Sequence, residues 1–301
     1  PDDYDFLNIT QPAFRYFKDD DEKKAGEKFG CFAVSTNLPK EIGMTKEGTA
    51  DINELFDKKV FGFPKPVALL KYLISITTKF DKDAIVLDFF SGSATTAHAV
   101  MQLNAEDGGK RKFICVQLPE KTDEQSEAYK VGYKTICEIG KERIRRAGEK
   151  IKEENKDKEG IENLDIGFKV FKLDSSNLVK WDNTPTTDEE EVKKRIQQSL
   201  FYLVEGREDL DLVYEIMLKY GLSLTLPVEE RKFDNVPAYI INHPDYKVLV
   251  CLAPNITLSA VEEMDKETIG TYIFADRCFA DANILSNTEE ILKKKDKEMR
   301  L

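Results

Sequence analysis

Apolar positions along the 301-residue chain change period several times, and each change marks an element. Leu69, Leu70, Leu73, Ile74 and Thr77 recur at helical spacing behind Pro66, a residue suited to the first turn of a helix, where its missing N–H costs nothing. Asp81 to Asp83 break that helix. The apolar run Ile85, Val86, Leu87, Phe89 and Phe90 then predicts a short buried strand. Ser91, Gly92 and Ser93 form a turn, Ala94 to Leu103 read as a helix, and Gly108 with Gly109 end the unit. Phe113 to Leu118 predict a second buried strand before Pro119. A long helix is predicted from Tyr129 to Glu154, with Tyr133, Ile136, Cys137, Ile144, Ala147 and Ile151 on one face. Lys152 to Gly160 read as a charged hinge, and Phe168 to Leu173 alternate like a strand. Strand, helix, strand and helix at this spacing predict an α/β unit with a parallel sheet and helices on its faces.

The flanking stretches are patterned differently. Residues 1–60 are irregular, with Tyr4, Phe6, Phe14, Tyr16 and Phe17 followed by a charged run from Lys18 to Lys24, and only Asp51 to Phe56 suggest one or two helical turns. Beyond a polar linker at Asn183 to Glu191, helical patterns cover Val192 to Val204 and Leu210 to Tyr220. Ala238 to Ile241 and Lys247 to Leu252 are read as alternating apolar stretches and as paired strands joined through His243-Pro244-Asp245. Ile269 to Ala275 read as a strand and Thr288 to Lys295 as a final helix. The expected division is therefore residues 1–60 as the end of a recognition or linker region, 61–182 as the principal α/β domain, and 183–301 as a smaller α/β domain serving association.

Composition narrows the function classes. Five widely spaced cysteines without a Cys-x-x-Cys pair suit a reducing cytoplasm better than a disulfide framework or a zinc site. Two histidines make a His-based metal or acid-base centre a poor expectation, so no metal site is expected. No apolar run approaches the roughly 18 residues that span a bilayer. The formal charge of −11 counts against autonomous nucleic-acid binding, which normally needs a basic stripe. The chain opens with Pro1 rather than Met, which leads us to expect a longer gene product.

Chemistry concentrates in Val86 to Thr96. A strand delivers the chain to a tight Ser91-Gly92-Ser93 turn that opens into a helix, so backbone N–H groups and a helix N-terminus converge where a carboxylate or phosphate would sit. Gly92 lacks a Cβ and lets a ligand approach the main chain, while Asp88 offers an acceptor for an ammonium group. On pattern alone a lone glycine at such a place is most often only a turn.

The segment Asp88-Phe89-Phe90-Ser91-Gly92-Ser93-Ala94-Thr95-Thr96 resembles the S-adenosylmethionine-binding motif of amino-methyltransferases, usually Asp-Pro-Phe-x-Gly-Ser-Gly-Thr-Thr. It departs from that form at Phe89 and Ala94. Upstream, Phe63-Pro64-Lys65-Pro66-Val67 is similar to the Lys-Pro element that precedes the motif in the same family and lies beside the methionine end of the cofactor. The run Arg111 to Glu120 is a third match, in which Gln117 stands where family members often carry Glu or Asp for the ribose hydroxyls, with Glu120 as the alternative. The order of these elements, together with Asn37 to Gly43 and Gly167 to Asn177, looks like the modification subunit of type III restriction-modification systems, an adenine-N6 DNA methyltransferase. The resemblance implies a Rossmann-like methyltransferase core, partial here, followed by a smaller α/β C-terminal domain. It further implies S-adenosyl-L-methionine as cofactor, held by Lys65, Pro66, Asp88, Phe89, Phe90, Ser91, Gly92, Ser93, Thr95, Thr96 and Gln117. As partners it implies double-stranded DNA through the full-length protein, a second copy of the chain and a nuclease subunit.

The family's catalytic Asp-Pro-Pro-Tyr tetrapeptide occurs nowhere in the chain, and Pro1-Asp2-Asp3-Tyr4 reads as a coincidental loop. That element receives the flipped adenine and orients its amine. No catalytic residue is therefore assigned, and the chain is expected to be an inactive portion of the enzyme. A rival reading is a non-catalytic dimerisation or partner-binding module with a vestigial cofactor site. A dinucleotide-binding protein is disfavoured by the missing Gly-x-Gly-x-x-Gly signature. His98 is expected to be a packing or partly exposed residue, His243 a turn residue and Trp181 a packing anchor. Lys141, Arg143, Arg145, Arg146 and Lys150 interleave with Glu138, Glu142 and Glu149 and read as a solvated ion-pair face. Lys293, Lys294, Lys295 and Lys297 are expected at the exposed end of the last helix.

Overall fold

The computed structural model describes residues 42–179, 184–199, 204 and 206–301. The expectations placed on residues 1–41, on Trp181 and on residues 200–203 lie outside them. The chain divides into two compact units, the first ending at Gly167 and the second beginning at Phe168. The polar stretch from Asn183, read as the linker, lies beyond that division.

In the first unit, α1 (Thr45–Phe56) buries Ile52, Leu55 and Phe56, and α2 (Val67–Thr77) follows the Lys-Pro segment. Pro66 is the cap of α2 rather than part of its first turn, and the orphan Val67 N–H donates to Asp51 Oδ2 at 2.9 Å. Next come β1 (Ile85–Asp88), α3 (Thr95–Asp107) and β2 (Lys112–Cys115). The two strands pair in parallel, from Ile85 opposite Lys112 to Asp88 opposite Cys115. One face of the pair carries the core: Val86 and Phe113 pack on Val67, Ile74, Ala99, Val100 and Leu103. Arg111 ties the ends of α2 and α3 together, donating to Thr78 Oγ1 at 2.6 Å and to Asp107 Oδ2 at 2.9 Å.

Expectations for the strands and for the long helix of this unit are corrected. The strands are not buried on both faces, because Ile85, Leu87 and Ile114 lie exposed on the face away from the helices, and the second strand ends at Cys115, so that Val116 and Leu118, also exposed, follow it. Alternation, rather than the continuous apolar run, describes their burial. Phe89 and Phe90 belong to the turn and not to the strand, and both rings are exposed. The long helix also starts later than predicted. Glu127–Lys130 forms a short α4, Gly132 takes φ 100°, and α5 begins afresh as Ile136–Glu154. The Thr135 N–H donates to Glu138 Oε2 at 3.0 Å, which caps that start.

In the second unit, β3 (Val228–Phe233), β4 (Val236–Asn242), β5 (Lys247–Cys251), β6 (Thr271–Phe274) and β7 (Glu298–Arg300) form one sheet in that spatial order. The first two pairings are antiparallel and the last two parallel. Helices α6 (Glu189–Ser199), α7 (Asp209–Lys219), α8 (Leu258–Asp265) and α9 (Ala282–Lys293) complete the unit. Both sheet faces are covered. Ile240, Leu249 and Tyr272 meet Val261, Met264 and Leu292 on one side, and Ile241, Val248 and Val250 meet Leu212, Val213 and Met217 on the other.

Here β3, α8 and β7 were not predicted. In β3 the charged run Glu229 to Lys232 conceals the strand, and Asp234 and Asn235 at φ 44° and 65° make the hairpin turn to β4. The last helix starts six residues early, because Asp281 accepts the N–H groups of Asn283 and Ile284 at 2.8 and 3.0 Å. Phe168 to Leu173 form no strand; Lys169 reaches the Leu224 and Leu226 carbonyls and Phe171 packs edge-on to Tyr214. Nor are the terminal lysines uniformly exposed, since Lys297 is 11% exposed and pairs with Asp265 and the Tyr272 hydroxyl. Among the described residues, no helix is long and apolar enough to cross a membrane.

Candidate functional site

The turn after β1 is built by four local contacts. Ser91 N–H donates to the Val116 carbonyl at 3.1 Å and Ala94 N–H to the Ser91 carbonyl at 2.7 Å. Asp88 accepts the Phe90 N–H at 3.2 Å on one oxygen and the Thr96 hydroxyl at 2.5 Å on the other. Gly92 has φ 51°, and a Cβ built on it would meet only the Phe61 ring, at 3.5 Å. The turn is thus open above the glycine, as a ligand that touches the main chain requires. The N–H groups of the first turn of α3 have no intrahelical acceptors and add a partial positive charge at the same place.

Ala94, where the family motif has glycine, sits at φ 59° and ψ 40° as the N-cap of α3. A left-handed alanine costs roughly 1–2 kcal/mol. The side chains on either side of it turn inward. Ser93 and Thr95 are buried, and their hydroxyls accept from Arg143 Nη1 at 2.8 and 2.7 Å. Any contact these two residues make with a ligand would therefore come from their main-chain groups.

Arg143 is the residue the sequence reading misplaced. Its helix neighbours behave as an ion-pair face, with Arg145 and Arg146 on Glu142 and Lys150 on Glu54 and Glu154. Arg143 instead is fully buried, and its Nε and Nη2 make no hydrogen bond among the described residues. Burial holds its guanidinium down to about 10, which leaves it cationic at neutral pH. The interleaved glutamates hid this, because charge pattern does not say which side of a helix faces a turn from another segment.

The Lys-Pro element stands beside the glycine turn, with Phe61 against Gly92 and Pro64 and Pro66 buried. Gly48 of α1 makes this possible, since a Cβ there would lie 2.3 Å from the Pro64 carbonyl oxygen. The Lys65 side chain is exposed. Gln117 reaches the same turn, its Oε1 accepting the Gly92 N–H at 2.7 Å and its Nε2 donating to the Leu118 carbonyl at 3.3 Å. Glu120 is exposed and precedes no helix, and its carbonyl accepts from Ile136. His98 is half-buried on α3; desolvation, then Arg143 and Lys150, push its pKa down to about 3. His243 stacks on Tyr246 in the β4–β5 turn, with ring centroids 4.3 Å apart. Among the described residues no group of three or more His, Cys, Asp and Glu is placed to hold a metal ion.

Residues 18–149 match a family described as DNA methylase. Over 139 residues the chain is 46% identical to the type III restriction-modification enzyme StyLTI Mod subunit of Salmonella typhimurium, covering 46% of this chain and 20% of that protein. It is 34% identical over 241 residues to the EcoPI Mod subunit of Escherichia phage P1, covering 77% of this chain and 34% of the relative. To the EcoP15I Mod subunit of Escherichia coli it is 33% identical over 219 residues, 72% of this chain and 30% of the relative. The chain thus spans between 20% and 34% of the length of these relatives.

Proposed function

The chain belongs to the DNA methylase family, with type III Mod subunits among its relatives, and on that premise we propose that it is the S-adenosyl-L-methionine-binding portion of a site-specific DNA adenine-N6 methyltransferase of a type III restriction-modification system. The observation that carries the reading is the open Gly92 turn at the end of β1, flanked by the Asp88 carboxylate and by the Phe61 to Pro66 segment. These residues fit the methionine end of that cofactor. A carboxylate suits the N–H groups at the start of α3, and an ammonium group suits Asp88, whose two accepted hydrogen bonds leave lone pairs free. Gln117 lies within reach of the turn to meet a ribose hydroxyl. When bound, the cofactor supplies an electrophilic methyl group on a sulfonium; the residues here bind and orient it.

The apolar face formed by Ile85, Leu87 and Ile114 supports a Rossmann-like methyltransferase core of which this unit is a part, because such a face is covered in a complete doubly wound domain. Double-stranded DNA, a second copy and a nuclease subunit are the partners we propose for the full-length protein, with the second unit serving association. The site of action of such a protein is the cytoplasm.

Calorimetric titration with S-adenosylhomocysteine tests the reading. Wild-type chain binds, while Asp88→Ala and Gly92→Val lose at least about tenfold, since a valine at a left-handed position strains the turn and fills the approach. No heat with wild type, or unchanged affinity in both variants, defeats it. The chain contains no Asp-Pro-Pro-Tyr, so tritiated methyl transfer to duplex DNA is expected from the full-length protein and not from the 301 residues alone.

A further inference from the structure

Three observations converge behind the glycine turn. Ala94 holds a left-handed conformation between Ser93 and Thr95. One nitrogen of the buried Arg143 guanidinium bonds both flanking hydroxyls, at 2.8 and 2.7 Å. Gly140, one turn earlier on α5, lets that helix approach so closely that a Cβ there would stand 3.5 Å from the Ala94 Cβ and 3.6 Å from the Gly92 carbonyl oxygen.

We propose that Arg143 is a positioning residue for ligand binding at this turn: it clamps Ser93 and Thr95 on either side of Ala94 and so fixes the direction of the N–H groups that meet the ligand. This rests on the reading of the turn as the cofactor site. A buried arginine is a costly way to fill space, because its charge must be taken out of water. The geometry shows what it does instead. Without the clamp, a non-glycine residue at φ 59° tends to relax toward the right-handed region and swing the Ser93 and Thr95 amides away from the opening, while the Gly92 N–H stays on Gln117. The guanidinium bonds no carboxylate among the described residues, and although Asp51 lies near enough to favour its charged form, that charge also adds to the positive end of α3.

The clamp explains how the chain tolerates alanine at a position the motif fills with glycine, and that makes the test specific. The full chain is compared as wild type, Arg143→Met, Arg143→Lys, Ala94→Gly and the Arg143→Met/Ala94→Gly double variant. Two readouts are taken: S-adenosylhomocysteine affinity by calorimetry, and amide hydrogen exchange at residues 92–96 in the ligand-free protein. Arg143→Met is expected to weaken binding by about tenfold or more and to speed exchange at Ser93 and Thr95 by a similar factor, with exchange in the body of α5 unchanged. Glycine at 94 needs no clamp and is expected to restore most of the lost affinity in the double variant, which a merely structural arginine would not allow. Arg143→Lys keeps the charge with one donor group and falls between, and it carries the comparison if the methionine variant does not fold. Unchanged affinity and exchange in Arg143→Met, or no recovery from glycine, overturns the proposal. If wild type itself gives no heat, the cofactor reading fails and the exchange data alone decide the clamp.

Discussion

Gly92 donates its backbone N–H to Gln117 Oε1 at 2.7 Å, so the side chain expected at a ribose also closes the glycine turn. Sequence left Gln117 and Glu120 as alternatives for that role, and it is Gln117 that is bonded to the turn. Gln117→Leu removes the acceptor and is expected to weaken S-adenosylhomocysteine binding about 5–30-fold, with roughly 1 kcal/mol of lost stability. Gln117→Glu keeps the acceptor, adds charge for two ribose hydroxyls, and is expected to bind about 3–10-fold more tightly. Glu120→Gln is expected to change nothing. Calorimetry on the three variants checks this, and a loss confined to Glu120→Gln would reverse the assignment.

His98 makes the first unit sensitive to mild acid. Its ring is held neutral by burial and by Arg143 and Lys150, with a pKa near 3 against 6.5 in the open chain. Because the folded value is the lower one, the unfolded chain binds more protons between these limits, and stability present above 6.5 is lost as the pH falls toward 3. The expected loss is about 1–2 kcal/mol between pH 6.5 and 5, a range in which ordinary carboxylates remain ionised. Urea denaturation followed by the exchange of α3 amides measures it. His98→Gln should flatten the profile over this window, and an equally steep profile in that variant would assign the effect to other groups.

Neighbouring residues of β1 should respond oppositely to truncation. Val86 packs on the α2–α3 core, whereas Leu87 is 59% exposed on the opposite face. Val86→Ala is expected to cost about 1–2 kcal/mol, and Leu87→Ser less than about 0.5 kcal/mol in this chain. In a full-length methyltransferase that covers the face, the Leu87 substitution should become the costly one, at about 2–4 kcal/mol. Thermal melts of both proteins give the comparison. Equal costs for Leu87→Ser in the two contexts would mean that the face stays open to solvent.

The sequence by itself determined the local chemistry of the turn. A strand, a Ser91-Gly92-Ser93 turn and a helix follow from adjacent residues, since apolar period and glycine act over a few positions. The places of β4, β5 and β6 were legible too, although the alternation read at β4 and β5 does not describe their burial, because both faces of that sheet are covered. Tertiary structure decided what depends on distant partners. An apolar run such as Ile85 to Leu87 cannot say how many of its faces are covered, because the cover comes from other segments. The charges of β3 concealed a strand that exists because Val236 to Asn242 pairs with it. Arg143 looks like its exposed neighbours in sequence and differs only in facing Ser93 and Thr95 across 50 and 48 residues of chain. Charge period fixes a residue's place on a helix, while burial is set by what packs against that place, and here the glycine turn packs against it.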